Sequence, residues 1–150
     1  MGYIMELRKL VGSRPLIMVG ACVILLNNEK EILLQLRNDN KCWGLAGGSL
    51  ELGETLEQVA KRELFEETGL VAKRLELFHV YSGEEFYYKY PHGDEVYNVV
   101  SVYICSEFEG ELRRGENEVQ ALKFFKLDAL PQNINPPDVP IINEYISSVY

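Results

Sequence analysis

The segment from Thr55 to Gly69, TLEQVAKRELFEETG, constrains this chain more than any other. Thr55 and Gln58 have the spacing of a capping box, in which the hydroxyl takes the third helical N–H and the amide reaches back to the N-cap. Gly69 stands where a left-handed C-terminal cap is wanted, so residues 56–68 are predicted to be helical. Projected at about 100° per residue, Val59, Ala60 and Leu64 share one arc that must face a core. Glu63 and Glu67 fall inside that arc and Glu66 at its edge, while Lys61 and Phe65 point the other way. A solvated acidic face would lie opposite the apolar stripe, whereas this one lies on it. Carboxylates at i, i+3 and i+4 repel by about 0.2–0.5 kcal/mol per pair when exposed, and by more when desolvated. The fold must therefore bring positive charge to them.

Arg62 is one source, but a single guanidinium cannot satisfy three carboxylates. A divalent cation can, because Mg2+ and Mn2+ prefer carboxylate oxygens and keep waters that a phosphate can displace. Gly47 and Gly48, just upstream, allow close backbone approach, so a carbonyl there can complete the coordination. The net charge of -8 fits this reading once it is located. Residues 51–67 hold six Glu against Lys61 and Arg62, a local net of -4, so half of the charge lies in one short stretch. Such a chain is unsuited to gripping long nucleic acid or an anionic membrane, which needs clustered Lys and Arg. A small phosphate-bearing ligand remains compatible, with the cation as bridge.

A length of 150 residues suits one domain with its own core. The three cysteines, Cys22, Cys42 and Cys105, have neither CxxC spacing nor a nearby His, which points to a reducing compartment and a cytoplasmic protein. The longest apolar run, PLIMVGACVILL from Pro15, is too short to span a bilayer and reads as a buried strand.

Tyr3–Val11 carries Ile4, Leu7 and Leu10 ahead of Gly12 and reads as a short outer helix. Residues 19–26 and 31–37 flank a polar turn and are expected to form a hairpin, and 38–52 to be loop. After the acidic helix, 73–81, 85–90, 96–107 and 119–127 read as strands, with Pro91 to Asp94 as a turn. The proline-rich stretch 131–140 reads as loop, and 141–149 as a closing helix on Ile142, Tyr145 and Ile146. The expected fold is a single α/β domain with a mixed sheet.

Gly48, Glu54 and then Arg62-Glu63-Leu64-Phe65-Glu66-Glu67-Thr68-Gly69-Leu70 resemble the Nudix box of the MutT-like Nudix hydrolase superfamily at every defining position, spanning 48–70. The resemblance implies a Nudix-type α/β/α sandwich over residues 1–150. It also implies hydrolysis of a nucleoside diphosphate linked to another moiety, assisted by Mg2+ or Mn2+. Carried over residue by residue, Gly48, Glu63, Glu66 and Glu67 match metal ligands, and one of the glutamates can double as base. Glu54 and Arg62 match the structural pair of the box. Glu118, closing Gly115-Glu116-Asn117-Glu118, matches the downstream acidic residue that many members use as general base, and an ordinary charged loop is the competing reading. Arg37 resembles a phosphate-contacting arginine, against the alternative of a surface strand residue. His79 and His92 show no partner pattern and receive no role.

One departure is Ala46, where the family commonly has Pro; it loosens a turn without removing a ligand. Substrate class lies outside the box. ADP-ribose hydrolases often place a Pro where this chain has Glu85, and dinucleoside polyphosphate hydrolases a Tyr near Tyr87 and Tyr88. Phe86, Tyr88 and Tyr90 alternate and are expected to share a strand face that could stack a base, which makes Tyr88 a candidate substrate contact. The expected partner is a small nucleotide, with hydrolysis of oxidised nucleotides or ADP-ribose as alternatives at the same site. A non-catalytic nucleotide sensor is disfavoured by the intact carboxylates, and an isopentenyl diphosphate isomerase type by the lack of a Cys and Glu pair. The N-terminal helix and 96–107 are candidate surfaces for a homodimer.

Overall fold

The computed structural model describes residues 2–115 and 118–150. Its centre is a mixed sheet of β1 (Leu16–Leu25), β4 (Ala46–Ser49), β5 (Val71–Tyr81), β6 (Tyr87–Lys89) and β7 (Glu95–Glu109). The order is β4-β1-β7-β5, with β6 also on β7. β1 and β7 run parallel, from Leu16 opposite Val96 to Leu25 opposite Cys105, and the other pairs are antiparallel. A second, antiparallel sheet holds β2 (Ile32–Arg37), flanked by β3 (Trp43–Gly44) and β8 (Val119–Phe125).

Alternation along β1 sends Ala21, Val23 and Leu25 to one face and Cys22 and Ile24 to the other. The first face is covered by α2 (Leu56–Thr68) through Val59, Ala60 and Leu64. The second is covered by α3 (Val139–Val149) through Ile141, Ile142 and Tyr145. This is the expected α/β/α sandwich, with β2 and β8 feeding side chains into both clusters. Among the described residues no helix is long and apolar enough to cross a membrane.

Three local expectations change. The hairpin of 19–26 and 31–37 exists only at its turn, where Asn27 Oδ1 accepts from the N–H groups of Glu29 and Glu31 and Leu26 bridges Ile32. Beyond that bridge β1 and β2 diverge into separate sheets, because each finds a longer partner elsewhere: β7 for β1, β8 for β2. The stretch 38–52 contains β3 and β4 rather than loop alone. β4 lies so close to β1 that a Cβ on Gly47 would stand 2.4 Å from the Ala21 carbonyl, and one on Gly20 2.4 Å from that of Gly48. Finally, Glu84–Phe86 is a 3-10 turn, so Phe86 is not in the strand register of Tyr88; it is buried against Tyr81.

The N-terminal helix α1 (Tyr3–Val11) forms as read, ending at Gly12 with φ 70°. Its Arg8 is buried and donates to the carbonyls of Gly12, Arg14 and Glu95, which latches α1 to the start of β7.

Candidate active site

The capping box of α2 is present in both directions: Thr55 Oγ1 accepts from Gln58 N at 3.1 Å and Gln58 Oε1 from Thr55 N at 2.8 Å. Gly69 closes the helix in the left-handed region at φ 78°. With both ends set, the rotation of α2 over β4 and β1 is fixed by its apolar residues, and the acidic ones follow.

Glu67, only 6% exposed, takes the Gly47 N–H on Oε1 at 2.9 Å. Glu63 faces Gly48 across a gap with no room for a side chain. Glu66 is half exposed and reaches the Arg62 guanidinium at 3.4 Å. Arg62 spans the loop before the helix. Its Nε and Nη2 grip the two Glu54 oxygens at 2.7 and 2.9 Å, Nη2 reaches the Ser49 carbonyl at 3.2 Å, and Nη1 holds Glu63 at 2.7 Å. Through these bonds the Glu54–Arg62 pair ties the end of β4 to α2.

Electrostatics follow from this crowding. Burial pushes the Glu63 carboxyl up to about 7, with Glu66 and Glu118 repelling its charge and Arg62 favouring it. Burial also raises Glu67 well above the usual carboxylate range, and Glu63 and Glu118 add to the effect. Glu118 is exposed at the rim of the same cleft, close enough for its charge to act on both.

The cleft has a volume of roughly 450 Å³. It is lined by Glu63, Glu66, Glu67 and Glu118, by Arg37 and Tyr90, and by Ile4, Met5 and Arg8 of α1. Arg37, at the end of β2, is paired with Asp39 through Nε at 3.0 Å and Nη2 at 2.8 Å. Tyr88 lines an adjoining recess instead, where its hydroxyl accepts from Asn40 Nδ2 at 2.6 Å and its ring meets Tyr90 edge-on at 5.0 Å. The two spaces share Met18, Arg37, Gly47, Gly48 and Tyr90.

Two groups in these walls escaped the sequence reading. Asp138 ends the proline-rich stretch and accepts from Leu45 N at 3.1 Å, and burial raises its pKa to about 6. Nothing local in PPDVP announces it. Gln35 is 3% exposed on the cleft floor, and its signal was legible as the one polar residue inside ILLQL.

The donor set suits a hard cation. Carboxylate oxygens from two turns of one helix face strand backbone stripped of side chains, and the buried charges repel one another. Among the described residues no three acidic, His or Cys side chains already converge on one point. The Arg62 Nη1 donates to both Glu63 and Glu66, so part of their negative charge is already paired.

The family model of the NUDIX domain matches residues 16–145. An ADP-ribose pyrophosphatase of Methanocaldococcus jannaschii is 38% identical over 112 residues, 72% of this chain and 62% of that protein. A NAD-capped RNA hydrolase, NudC, of Edwardsiella ictaluri is 31% identical over 117 residues, 76% of this chain and 42% of that protein. The chain thus spans less than two thirds of the length of these curated relatives. The crystal structure of a MutT NUDIX hydrolase from Burkholderia pseudomallei is similar with a TM-score of 0.73 at 30% identity, covering 85% of this chain and 97% of that one. With the family model spanning most of the chain and that neighbour's fold reproduced almost entirely, this chain belongs to the NUDIX family.

Proposed function

We propose that this chain is a divalent-metal-dependent pyrophosphohydrolase that cleaves a nucleoside diphosphate linked to another moiety. The observation that carries the reading is the placement of Glu63 and Glu67, a half-buried and a buried carboxylate one helical turn apart, repelling each other and set against the glycine backbone of β4. Glu63, Glu66 and Glu67, with backbone at Gly48, would hold Mg2+ or Mn2+. When bound, the ion supplies the positive charge that lets a polyphosphate enter an acidic site and that withdraws electrons from the phosphorus.

The chain's own residues do the rest. Arg37 faces the cleft from β2 and binds a phosphate oxygen, with Asp39 keeping its guanidinium charged and oriented. A carboxylate of the set, or Glu118 from the rim, takes a proton from the attacking water. The water oxygen bonds to one phosphorus, the bridging oxygen leaves with the other, and two phosphate-bearing products result. Tyr88 and Tyr90, in the adjoining recess, are the candidate contacts for the nucleoside. The name of the Methanocaldococcus relative supports a nucleoside diphosphate sugar as the substrate class.

The test is a panel of ADP-ribose, dinucleoside polyphosphates, oxidised and ordinary nucleoside triphosphates, assayed with Mg2+ and with Mn2+ and read by product identity. Release of a nucleoside monophosphate that EDTA abolishes supports the reading. Release of nothing from the whole panel, with nucleotide binding retained, turns it into a sensor.

A further inference from the structure

We infer that Gln35 is a positioning residue of the cleft, its side-chain N–H holding Glu67 and its Oε1 accepting a hydrogen bond from a water molecule on the floor. This rests on the pyrophosphohydrolase reading and adds a residue outside the acidic helix to it.

Gln35 sits on β2 between Leu34 and Leu36, on the same face as Leu33, which packs in the core beneath α2. Its cross-strand partner Leu122 packs against that same cluster. An aliphatic side chain would complete this row, yet the chain has an amide that is 3% exposed. The amide favours the charged form of the Glu67 carboxylate, which places its N–H end toward that group. Its Oε1 is buried without a hydrogen-bond partner, alone in this respect among the described side chains. A buried acceptor left unpaired lowers stability, so a protein donor or a bound water is wanted at that atom.

The surroundings say which. Gln35 lines the cleft together with Arg37, Glu63, Glu66, Glu67 and Glu118. Once a cation holds the carboxylates in their ionised form they can only accept and cannot serve Oε1, and the Arg37 Nε and Nη2 are directed at Asp39. A water molecule carries the missing donor and has carboxylates beside it for its second proton. A neutral acceptor can point one O–H of that water without competing for the proton, which leaves a lone pair free for a phosphorus above. Gln35 thereby orients both the water and the carboxylate next to it, touching neither phosphorus nor leaving group.

The experiment compares wild type with Gln35→Met, which keeps volume and removes both polar ends, and Gln35→Glu, which keeps an acceptor oxygen at the same reach. Melting temperature, Mn2+ affinity of the substrate-free protein by electron paramagnetic resonance, and kcat and KM on the best panel substrate are measured. Gln35→Met is expected to melt at or above wild type, to bind Mn2+ about 10-fold more weakly and to lose about 10- to 100-fold in kcat, with KM within about two-fold. Gln35→Glu, whose carboxylate repels Glu67 and competes for the water's proton, is expected to be at least as impaired as Gln35→Met. The inference is overturned if Gln35→Met matches wild type in Mn2+ affinity and kcat, or if Gln35→Glu matches wild type in kcat. A wild type that hydrolyses nothing removes the parent reading instead, and the Mn2+ titration still decides whether Gln35 holds Glu67.

Discussion

A Cβ on Gly48 would stand 2.5 Å from the carboxyl carbon of Glu63 and 2.7 and 2.8 Å from its two oxygens, so strand backbone and helix side chain leave no space between them. Gly48→Ala must therefore displace Glu63. Misplacing a reacting group by about 1 Å costs on the order of 100-fold in rate, and that loss in kcat/KM is expected. A wild-type rate in this variant would show that the site does not depend on where Glu63 stands.

Glu67→Gln separates chemistry from folding. The amide still accepts from Gly47 N–H but removes a buried like charge beside Glu63. Turnover is expected to fall by at least about 10³-fold, in the range seen when metal or base function is lost. The metal-free melting temperature is expected to hold or rise. A variant that keeps more than a tenth of the activity would remove Glu67 from the site.

The same buried acids set a pH dependence of stability. In the unfolded chain Glu63 titrates near its ordinary 4.5 and Asp138 near 3.8, whereas burial moves them to about 7 and about 6 in the fold. Glu67 moves in the same direction. As pH rises through this interval the unfolded chain sheds protons that the folded chain retains, so stability falls with pH. The contribution is complete below about pH 4 and lost by about pH 7. Urea midpoints of EDTA-treated protein should fall between these values, and Mn2+ should restore the midpoint at the upper end. A midpoint that is flat or rises across the window would contradict this account.

Arg62→Ala removes the two-pronged hold on Glu54, the contact to Ser49 and the hydrogen bond to Glu63 at once. Charge-assisted bonds of this kind contribute about 1.5–3 kcal/mol when shielded, and less here because the side chains are partly exposed. A loss of about 1–2 kcal/mol in chemical denaturation is expected, with Arg62→Lys intermediate because an ammonium cannot bind bidentately. Full stability in the alanine variant would make the pair ornamental.

Arg37→Ala tests the phosphate contact. Removing a charge-assisted contact to a bound phosphate should raise KM by roughly 10-fold or more, while the fold, which Arg37 supports mainly through exposed Asp39, should melt within a few degrees of wild type. An unchanged KM would assign Arg37 to the loop rather than to substrate.

The acidic helix was legible because its determinants are local. The capping box, the glycine cap and the apolar spacing lie within fifteen residues, and each pointed to the same element. β3 and β4 were illegible for the opposite reason. Trp43–Gly44 and Ala46–Ser49 are short and glycine-rich with no alternation, and they become strands only by pairing with β2 and β1. The parting of β1 from β2 was hidden likewise, since the paired residues of their preferred partners, β7 and β8, lie about 80 to 93 residues further along. Phe86 read as a strand residue because aromatic alternation alone does not reveal a 3-10 turn.

Residue order by itself determined the helix, its rotation relative to the core, and hence that Glu63 and Glu67 would be carried inward with Arg62 and Glu54 beside them. What they would meet was decided by the tertiary structure. Gly47 N–H on Glu67, Gln35 and Arg37 in the same cleft and the half-buried Asp138 in the adjoining recess come from separate stretches of the chain. Desolvation and close approach are properties of the assembled layers, and no single stretch of sequence contains them.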